Sequence, residues 1–199
     1  MNKFPNDIVL VFDECTSGFR ETFGGLHLKY GVTPDIAMFG KALGNGYAIT
    51  AIVGKEEFMK YTNKSFISST FWTERIGPTA GIATLNQMEK LKSWDQITRA
   101  GIYIKKKISL IAKKNNIKIE FYGLDALINF RFKSKHNDLF IKFLTSEMLK
   151  EGFLAKNSIY VSTVHTKNLI ENYLVKLNEI FKKLNKYESV KINEIISKN

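Results

Sequence analysis

An α/β sheet followed by a smaller α+β unit is the architecture this 199-residue sequence predicts, and three observations predict it. In the first half, short continuous apolar runs alternate with glycine-rich turns. Polar or glycine residues close each of those runs, so that side chains able to do chemistry collect at strand ends. From about Ser93 onward the pattern changes to helical periodicity, interrupted by short strand-like runs.

Taken in order, Ile8-Val9-Leu10-Val11-Phe12 is continuous, β-branched and short, and reads as a buried strand ending at Asp13-Glu14. A turn-rich stretch with Gly18, Gly24 and Gly25 follows. Residues 35–39 form a second strand closed by Gly40, and Ala48 to Val53 a third closed by Gly54. Small residues together with Leu85, Met88 and Leu91 predict a helix from Ile76 to about Lys92. In the second half, Ile104, Ile108 and Ile111 share one helix face. Two strands, Ile117 to Phe121 and Leu127 to Phe132, turn at Gly123. Leu139, Phe140, Phe143, Leu144 and Met148 mark a helix ended by Gly152, and Ile159 to Val161 a short strand. A long amphipathic helix then runs from Thr166, its N-cap, to about Tyr187, beyond which a polar tail is expected to fray. The boundary is expected at residue 92, giving units of 1–92 and 93–199.

Composition narrows the function classes. With 44% hydrophobic and 25% charged residues the chain reads as a soluble globular protein, long enough for one good-sized domain or two small ones. No apolar run nears the ~20 residues of a membrane span. The N-terminal run is interrupted by Asp13 and Glu14 and is not a signal core. With one cysteine, Cys15, no internal disulfide is possible, and a cytoplasmic location is expected. The net charge of +11 invites a nucleic-acid reading. Residues 1–100 carry 11 Lys/Arg against 10 Asp/Glu, and residues 101–199 carry 19 against 9. The excess is therefore lysine scattered along helices, with arginine only at positions 20, 75, 99 and 131. A solvated lysine face explains it better than a phosphate-binding surface, so neither nucleic acid nor membrane is expected as a partner. His27, His136 and His165 have no metal-ligand spacing, and no metal site is expected.

Lys41 stands in Phe39-Gly40-Lys41-Ala42-Leu43-Gly44-Asn45-Gly46. A phosphate loop is excluded, because Asp35 occupies the first glycine position and Ala42 the Ser/Thr position. A dinucleotide loop is excluded by Ile49 where the third glycine belongs. What remains is a lysine at a strand end among residues too small to crowd it, a setting in which an amine can attack carbonyls. Alone, this signal is weak, and a surface lysine beside a turn explains it better. Asp13 ends an apolar strand, where a carboxylate calls for a cationic or hydrogen-bonding partner. A turn or helix cap would also explain it.

Together these segments resemble a known family. Val9 through Asp13-Glu14-Cys15-Thr16-Ser17-Gly18-Phe19-Arg20 is similar to the strand and loop that carry the pyridine-binding aspartate of class III aminotransferases. Tyr30-Gly31-Val32-Thr33-Pro34-Asp35 through Gly46 resembles their segment with the Schiff-base lysine, and Asp13 and Lys41 stand at the family's spacing of 28 residues. Ser68-Ser69-Thr70-Phe71 resembles the segment whose threonine reaches the cofactor phosphate of a neighbouring subunit, and Pro78 to Ala83 the helix that follows. The branch nearest in pattern is the one containing glutamate-1-semialdehyde aminomutase.

The resemblance implies a fold-type-I transferase using pyridoxal 5'-phosphate to move an amino group from a small-molecule donor to a carbonyl acceptor, as aminotransferase or aminomutase. It implies Lys41 as the catalytic, cofactor-holding residue, Asp13 as partner of the ring nitrogen, Thr70 as a phosphate contact, and a homodimer. Residues 1–92 would be the C-terminal portion of the cofactor-binding large domain and 93–199 its small C-terminal domain. Two departures stand out. Trp72-Thr73-Glu74-Arg75 replaces a small turn and suggests unusual substrates such as amino- or keto-sugars, with Trp72 and Arg75 either at a pocket rim or packed at a subunit interface. The chain also begins where a family member is half finished, so the phosphate cup, a ring-stacking aromatic and several strands are expected from a missing N-terminal half. The alternative expectation is therefore a truncated or split aminotransferase without independent activity. Cys15 stands where the family has an aliphatic residue and is expected to pack rather than react.

Overall fold

The computed structural model describes residues 8–68, 70 and 73–187. The polar tail expected after Tyr187 lies outside the described residues, as do Ser69, Phe71 and Trp72. The chain divides into two compact units, Met1–Asp95 and Gln96–Asn199.

The first unit is built on three strands: β1 (Val11–Asp13), β2 (Ile36–Phe39) and β3 (Ala51–Gly54), in the order β1-β2-β3. β1 and β2 are parallel, with Asp13 opposite Met38, and β2 and β3 are antiparallel, with Phe39 opposite Ala51. The long β1–β2 connection carries a one-turn helix, α1 (His27–Tyr30), closed by Gly31 in the left-handed region. After β2 comes a 3₁₀ turn, Lys41–Leu43, and after β3 the short α2 (Glu56–Met59) and a second 3₁₀ turn, Lys60–Lys64. The helix α3 (Ile76–Leu91) follows. Its N-terminus is made by Glu74, whose carboxylate accepts the N–H groups of Ile76 and of Gly77 (3.0 Å). An acidic group is stabilised at that end by the unpaired amides and the helix dipole. The small core of this unit joins Ala37, Phe39 and Leu43 to Phe19, Ile49, Ala51 and Leu85.

The continuous apolar run at residues 8–12 predicts a buried strand, and here the structure differs. β1 is shorter, starting at Val11, and among the described residues it pairs only with β2. Ile8 (57%), Val9 (43%) and Val11 (47%) are exposed. Apolarity on both sides of a strand suits a position between two neighbours, and only one is present among the described residues.

The second unit is a β4-β5-β6 antiparallel sheet packed with helices. α4 (Ser93–Lys114) starts before the unit boundary and runs into it. β4 (Ile119–Gly123), β5 (Leu127–Phe132), α5 (Asn137–Lys150), β6 (Ser158–Tyr160) and α6 (Lys167–Tyr187) follow. Alternation along β5 sends Ile128, Phe130 and Phe132 inward while Arg131 faces solvent. Phe132 meets Phe140 of α5 edge-on at 5.4 Å and Phe181 of α6 at 5.6 Å, tying both helices to one sheet position. Ile104, Ile108 and Ala112 of α4 and Ile170, Leu174, Leu177 and Phe181 of α6 complete the core at helical spacing. Thr166 caps α6 as expected, its hydroxyl accepting the Leu169 N–H at 3.3 Å.

Candidate active site

Asp13 is the last residue of β1, and Lys41 lies two residues beyond the end of β2. Because those strands are parallel neighbours, the two residues come to the same, carboxyl-terminal end of the sheet. This juxtaposition of residues 28 apart is what the sequence spacing alone could not establish.

The backbone at Lys41 is unusual. Gly40 is extended, and Lys41 then takes φ +43°, a left-handed conformation that disfavours any residue with a Cβ. Conformations of this kind cost on the order of 1–3 kcal/mol and cluster at functional sites. The turn is held by N–H groups of Leu43 and Asn45 bonding to the carbonyls of Gly40 (2.9 Å) and Lys41 (3.0 Å). Gly44 closes it where no larger residue fits, since a Cβ there would sit 2.2 Å from the Tyr47 carbonyl oxygen. Leu43 of the same turn is buried in the core, whereas Lys41 is exposed.

The lysine amine reaches back across the sheet end and donates a hydrogen bond to the Thr16 hydroxyl, three residues after Asp13. No sequence signal distinguished Thr16, because a threonine in a turn is ordinary. Asp13 is also exposed. Its Oδ1 accepts the Cys15 N–H at 3.0 Å. That bond, then one with the Cys15 side chain, hold its carboxyl below the usual aspartate value, and the nearby Lys41 charge adds to the effect. The same contact with Asp13, together with burial, pushes the Cys15 thiol up, away from the reactive thiolate. Among the described residues no cationic side chain stands within ion-pair distance of Asp13.

Next to it, Glu14 is buried (3% exposed) and organises the loop. Its carboxylate accepts hydrogen bonds from the Ser17 hydroxyl and from the His27 N–H (3.0 Å), and its Oε1 lies 3.1 Å from His27 Nδ1. Burial pushes this carboxyl up, but the bonds from Ser17, Leu26 and His27 outweigh it and leave it below the usual glutamate value. Glu14 N–H donates to the Met38 carbonyl of β2 at 2.8 Å, which anchors the loop to the strand leading to Lys41.

Thr70 is exposed, and among the described residues no hydrogen bond joins it to Asp13 or Lys41. Arg75 is exposed at the N-cap of α3, while Glu74 serves as the helix-terminal acceptor already described. His165 lies far along the chain in the second unit, between β6 and α6, where its Nδ1 accepts the Ser162 N–H at 3.3 Å. Burial pushes its pKa down.

Known proteins share both this sequence pattern and this fold. The family model described as aminotransferase class-III matches residues 5–188. A 3-aminobutyryl-CoA aminotransferase from Cloacimonas acidaminovorans is 34% identical over 158 residues, covering 79% of this chain and 37% of the relative. A glutamate-1-semialdehyde 2,1-aminomutase from Natranaerobius thermophilus is 32% identical over 181 residues, covering 82% and 42%. Among solved structures, the FumI protein of Sphingopyxis sp. superposes with a TM-score of 0.84 at 20% identity, over 90% of this chain and 44% of that one. An S-selective transaminase from Arthrobacter sp. gives 0.78 at 21%, over 91% and 46%. The fold of the chain is thus that of part of a transaminase, and the chain spans less than half the length of the relatives it matches. With a family match over nearly its whole length, this chain belongs to the class-III aminotransferases.

Proposed function

We propose that this chain carries the cofactor-holding residues of a pyridoxal 5'-phosphate enzyme that moves an amino group between small molecules, as an aminotransferase or an aminomutase. The observation that carries the reading is the meeting of Asp13 and Lys41 at the carboxyl ends of two parallel strands. The named relatives, an aminobutyryl-CoA aminotransferase and a semialdehyde aminomutase, bracket the reaction class.

The residues suit that cofactor. Asp13 presents an exposed carboxylate without a cationic partner among the described residues, as a protonated ring nitrogen requires. Lys41 presents an exposed amine whose partner is an uncharged hydroxyl, so an aldehyde can reach it. When bound, pyridoxal phosphate supplies an electron sink for the substrate carbon that loses its proton. Lys41 would hold the cofactor through its Nζ, and the same amine, once free, would take the proton from the substrate carbon and return it. Asp13 would face the ring nitrogen and hold its proton. Thr70 is assigned to the phosphate of a second subunit in a homodimer, a role its exposure permits. Residues 1–92 would then belong to the cofactor-binding large domain and 93–199 to the small domain. The outer edge of β1, unpaired among the described residues, favours completion of the site by further polypeptide, in the same chain or another. A cytoplasmic setting, suited to the free Cys15, is part of the same reading.

The test is to incubate the purified chain with pyridoxal phosphate, reduce with borohydride and map the labelled peptide. A single adduct at Lys41, absent from Lys41→Ala, is expected. Labelling spread evenly over the lysines would sink the reading.

A further inference from the structure

The first unit contains a telling contrast between lysines. Lys55 bonds to the Asp35 carboxylate at 2.6 Å, and Lys29 to Glu21 at 2.6 Å. Lys41 has a carboxylate close by as well, near enough for its charge to bear on Asp13. Its amine nevertheless bonds to the neutral hydroxyl of Thr16, and no ion pair with Asp13 forms among the described residues.

We propose that Thr16 is a positioning residue that holds the Lys41 amine off Asp13, so that both charged groups of the site stay available. The inference rests on the functional reading above. A direct Lys41–Asp13 pair would occupy the amine that must meet an aldehyde and the carboxylate that must meet a ring nitrogen. A hydroxyl acceptor orients the amine without neutralising it, and a bond of that kind is weak enough to release at each turnover. Threonine suits the task because its β-branched side chain is stiff about χ1 and keeps Oγ1 in place. The loop beneath it is itself held. Arg20 Nε donates to the Thr16 carbonyl at 3.4 Å, and the buried Glu14 gathers Ser17 and His27 on either side.

The experiment needs no cofactor. The full chain is methylated with limiting formaldehyde and cyanoborohydride, and the rate at each lysine is read by peptide mass spectrometry, with Lys55 and Lys29 as internal references. In Thr16→Val the released amine should pair with Asp13, retain its proton more firmly and be methylated roughly twofold to fivefold more slowly, the range for an exposed ion pair. The reference lysines should not change. Thr16→Ser should behave as the wild type, and adding Asp13→Asn to Thr16→Val should restore the rate. An unchanged or faster rate in Thr16→Val would overturn the proposal. So would a slowing that Asp13→Asn does not relieve, because Thr16 would then act only through local packing. Since methylation is read without pyridoxal phosphate, a normal result here beside a missing Lys41 adduct would strike the cofactor reading alone.

Discussion

At the scale of single residues, two buried hydroxyls among the described residues, those of Thr98 and Tyr173, lack a hydrogen-bond partner. The Tyr173 hydroxyl is buried with no hydrogen-bond partner, and burial drives its pKa above the usual tyrosine value. Its ring packs edge-on against Phe153 at 5.8 Å, so the ring is well placed although the hydroxyl is not. Tyr173→Phe is expected to leave urea stability unchanged or raise it by up to about 1 kcal/mol, because an unsatisfied buried hydroxyl costs rather than contributes. A loss larger than that would reveal an ordered water on the hydroxyl. Legibility varied sharply among residues at this scale. Asp13 and Lys41 could be singled out because each sits where an apolar run ends and because their spacing matches a family. Thr16 and Glu74 could not, since a hydroxyl or carboxylate in a turn declares its partner only once the chain has folded.

Elements were readable where a period repeated often enough to be counted. The faces of α4, α5 and α6 and the alternation of β5 follow directly from their apolar spacing. Short elements were not: α1, α2 and the 3₁₀ turns span three to five residues each, too few to show a period. One element-level contact was hidden altogether. Gly101, midway along α4, approaches the β4–β5 turn so closely that a Cβ would lie 1.9 Å from the Asp125 carbonyl oxygen. The ion pair between Lys105 and Asp125 at 2.8 Å fastens the same two elements one turn further on. Gly101→Ala should therefore cost about 1–3 kcal/mol in denaturant unfolding, although alanine favours helix by up to ~1 kcal/mol. Equal or greater stability in that variant would show that helix and turn can separate cheaply.

For the molecule as a whole, the exposed residues of β1 matter most. Ile8, Val9 and Val11 make an apolar strip beside a strand edge that is unpaired among the described residues, and such an edge in isolation is a template for self-association. Val11→Lys should raise the concentration at which the isolated chain stays monodisperse in light scattering, because a charge on an edge strand opposes pairing. No change would place the sticky surface elsewhere. The burial expected for this strand from its sequence is not met among the described residues, which give it only one neighbour.

The left-handed backbone at Lys41 has a consequence for anyone who would evolve this protein. Glycine satisfies that conformation best and asparagine tolerates it, whereas lysine is there against the local preference. Selection for heat resistance alone should thus drift away from lysine at this position and return hardier molecules with no amine. A library built on this scaffold has to be screened for both properties together, since at residue 41 the most comfortable sequence and the useful one are different.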